Sequence, residues 1–211
     1  MKNNTILAAA LAALLAGPVA AEVKIALDSP PDLENAGSYV WANTFANHLN
    51  ANGMEAVEYA RGALGEEAEK LDQVSSGLLE VSMSDVKSAG SLNNLTYGVY
   101  LPYLFSDAAS LDAALTKGGL MEQINAGTTD KGVRVAAFTA LGLPAGIFNT
   151  KQPVAKLEDM ASLRMRALDE NQIDLYKAWG TTGTMVSWSE VPNALQTGVA
   201  DGYINPPFVP M

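Results

Sequence analysis

The chain has 211 residues, with 13 Lys plus Arg against 23 Asp plus Glu, a formal net charge of −10, one histidine and no cysteine. That acidic balance disfavours nucleic acid and anionic lipid surfaces as partners, because both repel it. The absence of cysteine excludes disulfides, thiol nucleophiles and thiolate metal sites, and a lone histidine is a poor start for a transition-metal centre. No cofactor is expected.

Residues 1–21 read as an export signal: Lys2 supplies positive charge, residues 6–15 are apolar, and Val19, Ala20 and Ala21 are the small residues before a cleavage point. The apolar run is shorter than the roughly 20 residues needed to span a bilayer, and no second one follows, so the cleaved chain is expected to be periplasmic and not inserted in the membrane.

After the signal, residues 23–27 read as a strand stopped by Pro30 and Pro31, which lack the amide donor a ladder needs. A helix capped by Asn35 is expected to run to about Leu49, then a strand at 54–59 and a turn at 62–65. Glu66, Glu67 and Glu69 open a helix to Ser76, where the helix dipole favours acids, and Gly77 closes it. A strand at 79–84 follows, then a looser stretch from Asp85, an apolar bend at 101–105, one helix at 111–125 and a strand at 133–139. Glycines and a proline at 142–146 break the pattern, and the expected lobes are 22–141 and 142–211.

The second part repeats the rhythm: strand at 147–150, short helix at 157–161, strand at 164–168, helix ending at Gly180, strand at 184–186. Ser189 is expected to cap a helix that tolerates Pro192 in its first turn and stops at Gly198, and 202–204 form a last strand. Strands alternating with helices predict α/β lobes with largely parallel sheets. On the 164–168 strand Arg164 is expected to point away from Arg166 and to be solvated or paired with a surface acid, and a strand that ends on arginine before a helix holds a cation at the edge of a cleft. Such a group grips a carboxylate and performs no chemistry on it.

Four segments carry a resemblance: LGEEAEKLDQVSSGLLEVSMSD at 64–85, LPYLFSD at 101–107, LEDMASLRMRAL at 157–168 and SEVPNALQTGVADGYINP at 189–206. Together, and in this order, they resemble the solute-binding proteins of tripartite ATP-independent periplasmic (TRAP) transporters. The resemblance implies a two-lobed α/β periplasmic-binding-protein fold that closes by hinges on a small organic acid and hands it to TRAP membrane permease subunits. It also implies a further long helix spanning both lobes, so that the second lobe is incomplete and the chain is C-terminally truncated.

The family's carboxylate-pairing arginine falls on Arg166, its asparagine on Asn205, and a ring packed on the ligand on Trp188. Contacts of some members fall on Asp28, Glu67, Asp85 and Phe208. Ser162 stands where the family usually has glycine, Ile204 where it has an acid, and residues 144–148 lack the second arginine of sialic acid binders. The ligand is therefore expected to be a monocarboxylate, a zwitterion or a simple dicarboxylate.

The readings as a sensing subunit for a membrane signalling protein and as an exported hydrolase stay open. For the latter, His48 has no partner and no two carboxylates are spaced with a nucleophile. Gly62 and Gly65 are not followed by the Gly-Lys-Ser/Thr of a phosphate loop.

Overall fold

The computed structural model describes residues 21–101, 103–139 and 145–205. The first 20 residues of the expected signal, most of the break at 142–146, and Phe208 lie outside the described residues.

Two sheets organise the chain. In the first, β1 (Val23–Ala26) lies between β2 (Ala56–Tyr59) and β3 (Val81–Ser82), parallel to both. Helix α1 (Gly37–Ala51) crosses from β1 to β2, and α2 (Glu67–Ser75) from β2 to β3. In the second, β4 (Gly146–Asn149), β5 (Arg164–Ala167), β6 (Thr182–Met185) and β7 (Gly202–Asn205) take the order β4-β7-β5-β6. Only the β4–β7 pair is antiparallel. Parallel neighbours need helical crossovers, and α7 (Glu170–Ala178) and α8 (Val191–Thr197) supply them. Between the sheets run α3 (Val86–Ala89), α4 (Asn94–Gly98), α5 (Ala108–Thr116) and α6 (Leu120–Thr128).

Each sheet has its own core. Ile25, Leu27, Tyr39, Ala42 and Met83 close the first, and Met160, Leu163, Met165, Ala167 and Tyr176 the second. Each fully buried large apolar side chain contributes roughly 1.5–3 kcal/mol relative to exposure. The α/β class and its two-sheet division match the sequence pattern. Gly65, at φ +103, is required where the turn enters α2: a Cβ there would meet Glu69 Oε2 at 2.7 Å, the atom that accepts from the Glu66 amide. Gly202 lets β7 approach β4, because a Cβ would collide with the Phe148 carbonyl.

Several local expectations give way. Asn35 does not cap α1, whose N-cap is Ala36; its amide donates to Asp32 Oδ2 at 3.0 Å, and Asp32 Oδ1 already gathers the amides of Glu34 and Asn35. The single helix at 111–125 is two helices, because Gly119 sits at φ +73 and cannot continue a right-handed turn. The strand expected at 133–139 is irregular: the Asn125 side chain donates to Val135 O and accepts from Val135 N, taking both groups a ladder would use. The stretch after Asp85 is helical (α3 and α4) rather than loose, and residues 157–160 form a 3₁₀ turn. Ser189 leaves the cap of α8 to Glu190, within a 3₁₀ turn at Trp188–Glu190, while Pro192 sits in the first turn as expected.

Candidate functional site

The carboxyl ends of β1, β2, β3, β5, β6 and β7 converge on one cleft, which is where open α/β sheets present their loops and helix N-termini. A cavity of about 330 Å³ there is lined by Asp28, Arg61, Glu66, Glu67, Asp85 and Lys87 from the first half of the chain. Arg166, Trp188 and Asn205 line it from the second half. An adjoining cavity of about 450 Å³ shares Asp28, Asp85, Lys87 and Asn205, and has apolar walls that include Trp41, Phe45 and Met83.

Strand β5 sorts its two arginines. Arg164 leans outward and clasps Asp201, donating from Nε at 3.0 Å, Nη2 at 2.8 Å and its own amide at 3.0 Å. Arg166 is 4% exposed. Its Nε donates to the Val186 carbonyl at 2.8 Å, and its Nη2 has no hydrogen-bond partner among the described residues. Burial pulls the Arg166 guanidinium below its ordinary pKa, opposed by nearby Tyr176 and Asp85. A guanidinium stays charged in proteins, so the group remains a cation looking for an anion. Below it, the buried Tyr176 hydroxyl donates to the Arg166 carbonyl at 2.9 Å and steadies the strand end.

Trp188 closes one wall. Its ring centroid lies 5.4 Å from the guanidinium carbons of both Arg61 and Arg166. Tyr203 meets it edge-on at 5.5 Å, and its buried Nε1 lacks a partner among the described residues. The cation–π contacts join a side chain that follows β2 to one that follows β6.

The acids differ in what they do. Glu67 is occupied on both oxygens, by buried Lys70 at 3.0 Å and by the Asp85 amide at 3.1 Å. Asp85 caps α3, accepting from the Lys87 amide at 2.8 Å, with the Lys87 ammonium 3.8 Å from its other oxygen. Asp28 faces both cavities with Oδ1 buried and unpartnered among the described residues. All the sequence-derived site residues except Phe208 therefore meet at one cleft, with Glu67 and Asp85 engaged in holding its first-half rim.

Two cations were missed by sequence reasoning. Burial lowers the pKa of Arg61, with Asp28 the leading opposing charge. It also lowers that of Lys87, whose ammonium lies 4.9 Å from the Tyr100 ring centroid. Both follow the carboxyl end of a parallel strand, and that position was the available signal. Among the described residues no helix is long and apolar enough to cross a membrane.

Two α/β sheets thus present to a common cleft a buried guanidinium with one nitrogen unpartnered among the described residues. The family of bacterial extracellular solute-binding proteins, family 7, matches residues 34–210, and this chain belongs to it, among the solute-binding proteins of TRAP transporters. The chain is 31% identical to a solute-binding protein of Verminephrobacter eiseniae, covering 82% of this chain and 52% of that one. It is 28% identical to the ectoine/5-hydroxyectoine-binding periplasmic protein UehA of Ruegeria pomeroyi, over 80% of this chain and 50% of the other. A TRAP periplasmic solute-binding protein from Polaromonas, crystallised with D-erythronate, is 25% identical and superposes with a TM-score of 0.74 over 89% of this chain and 62% of its own. The chain thus spans about half the length of the two relatives compared by sequence.

Proposed function

We propose that this chain captures a small organic acid in the periplasm, after export by its N-terminal signal, and delivers it to a TRAP-type membrane permease. The observation that carries the reading is Arg166: buried, charged, held at Nε, and open at Nη2 toward a cleft that both halves of the chain line. A carboxylate supplies the missing acceptor, and pairing in a closed, dry cleft strengthens it. Arg61 and Lys87 add positive charge at the same place, offsetting the unfavourable field of an acidic chain on an anionic ligand. Asn205 orients the ligand and Trp188 keeps water out. Because the ligand touches both halves, it stabilises the closed population by its higher affinity for that state. Relatives named for ectoine and crystallised with D-erythronate, both carboxylates, support this class of ligand.

The test is calorimetry and thermal shift of wild type and Arg166→Gln against a panel of organic acids. A ligand that binds only the native state raises the melting temperature with occupancy. At least one acid is expected to stabilise the wild type and to bind Arg166→Gln at least about 30-fold more weakly, since truncating one partner of a buried charge pair costs about 2 kcal/mol or more. The acid is expected to be recovered unchanged. Equal stabilisation of both proteins, or turnover of the acid, would overturn the reading.

A further inference from the structure

The cleft contains three buried polar atoms without partners among the described residues: Arg166 Nη2, Trp188 Nε1 and Asp28 Oδ1. Two are donors and one is an acceptor. Buried polar groups in folded proteins are overwhelmingly satisfied, so this set describes the complement a ligand must bring. A carboxylate answers the two donors. It cannot answer Asp28, whose carboxylate only accepts and repels a second anion.

Asp28 is a placed group rather than a stray surface acid. Leu27 before it is buried, and Ser29 after it is buried with its hydroxyl 3.1 Å from that of Ser38 at the start of α1. Of the four cleft acids it is the one with a buried oxygen that has no partner among the described residues. Glu67 is shared between Lys70 and the Asp85 amide, Asp85 is spent on Lys87, and Glu66 accepts the Ser189 hydroxyl. Among the described residues no cation comes within ion-pair distance of Asp28.

We propose that the cleft selects organic acids that carry, besides the carboxylate held by Arg166, a hydroxyl or ammonium donor that reaches Asp28, and that it rejects acids ending in hydrocarbon or a second carboxylate. This rests on the reading of the cleft as a carboxylate site. A site built around a fixed polar partner discriminates strongly against analogues that leave it unpaired, so the preference is a property of Asp28 and not of cavity size.

The experiment is calorimetric titration of the full chain with two matched series. The four-carbon series is butyrate, succinate, 4-aminobutyrate and erythronate; the six-carbon series is hexanoate, adipate, 6-aminohexanoate and gluconate. Wild type is expected to bind a donor-bearing acid at least about tenfold more tightly than the plain and dicarboxylic acids of the same length. Asp28→Leu should collapse that ratio toward one. Asp28→Asn, which keeps shape and an acceptor oxygen, separates the sources: it spares a hydroxy acid and weakens an amino acid about tenfold or more. Melting curves of each variant confirm that it is folded. Succinate or adipate binding as tightly as its donor-bearing counterpart, or a ratio that survives Asp28→Leu, overturns the selectivity while Arg166-dependent binding stands. If acid binding does not depend on Arg166, or no acid binds, the carboxylate reading fails and this inference fails with it.

Discussion

The Ser189 hydroxyl donates to Glu66 Oε1 at 2.6 Å, joining residues 123 positions apart from the two sides of the cleft. A second contact of the same kind runs from the Tyr97 hydroxyl to Asp169 Oδ2 at 3.2 Å. Each acceptor is the N-cap residue of a helix, Glu66 of α2 and Asp169 of α7. The groups that terminate helices on one side are thereby used to meet the other.

Ser189→Ala should therefore act on closure more than on folding. Both partners are partly open to solvent, so the stability change should stay within about 1 kcal/mol. Ligand dissociation, read by stopped-flow mixing, should quicken several-fold, because the closed state loses a contact the open state lacks. A melting temperature that falls steeply with an unchanged dissociation rate would count against this assignment.

Acid stability should report Asp201. It is buried, accepts three hydrogen bonds from Arg164 and lies 3.7 Å from Lys151. Those contacts, led by the Arg164 side-chain hydrogen bonds, bring its carboxyl from 3.8 down to about 2. A carboxylate depressed in the folded state adds stability that is fully present above the unfolded pKa and disappears as pH falls through the folded one. The loss should fall between roughly pH 4 and pH 2. The shift is worth about 2 kcal/mol at face value, and on the order of 1–2 kcal/mol once solvent screening at half-exposed Arg164 is allowed for. Asp201→Asn should be less stable than wild type at pH 7 and should lose less on acidification over that window, measured by urea unfolding.

Tyr176→Phe removes the hydroxyl that holds the Arg166 carbonyl. Unfolding should become easier by about 1 kcal/mol. Acid affinity should also weaken, by loosened placement of a guanidinium that itself keeps its charge. Unchanged affinity with lowered stability would show that the hydroxyl serves the core alone.

The amino-acid pattern alone determined the strand–helix rhythm and the glycines with positive φ after α2, α7 and α8. These depend on backbone dihedrals and on neighbours two to four positions away, which the chain carries locally. Tertiary structure decided the rest. Asn125 took the backbone groups of Val135 from a ladder, Arg164 was drawn to Asp201 while Arg166 was held by Val186, and Ser189 went to Glu66. Arg61 and Lys87 entered the cleft, and among the described residues Asp28 is the cleft acid left with a buried, unpartnered oxygen. Each outcome is a competition among polar partners that only packing brings within reach, and the distance along the chain contains no record of which one wins.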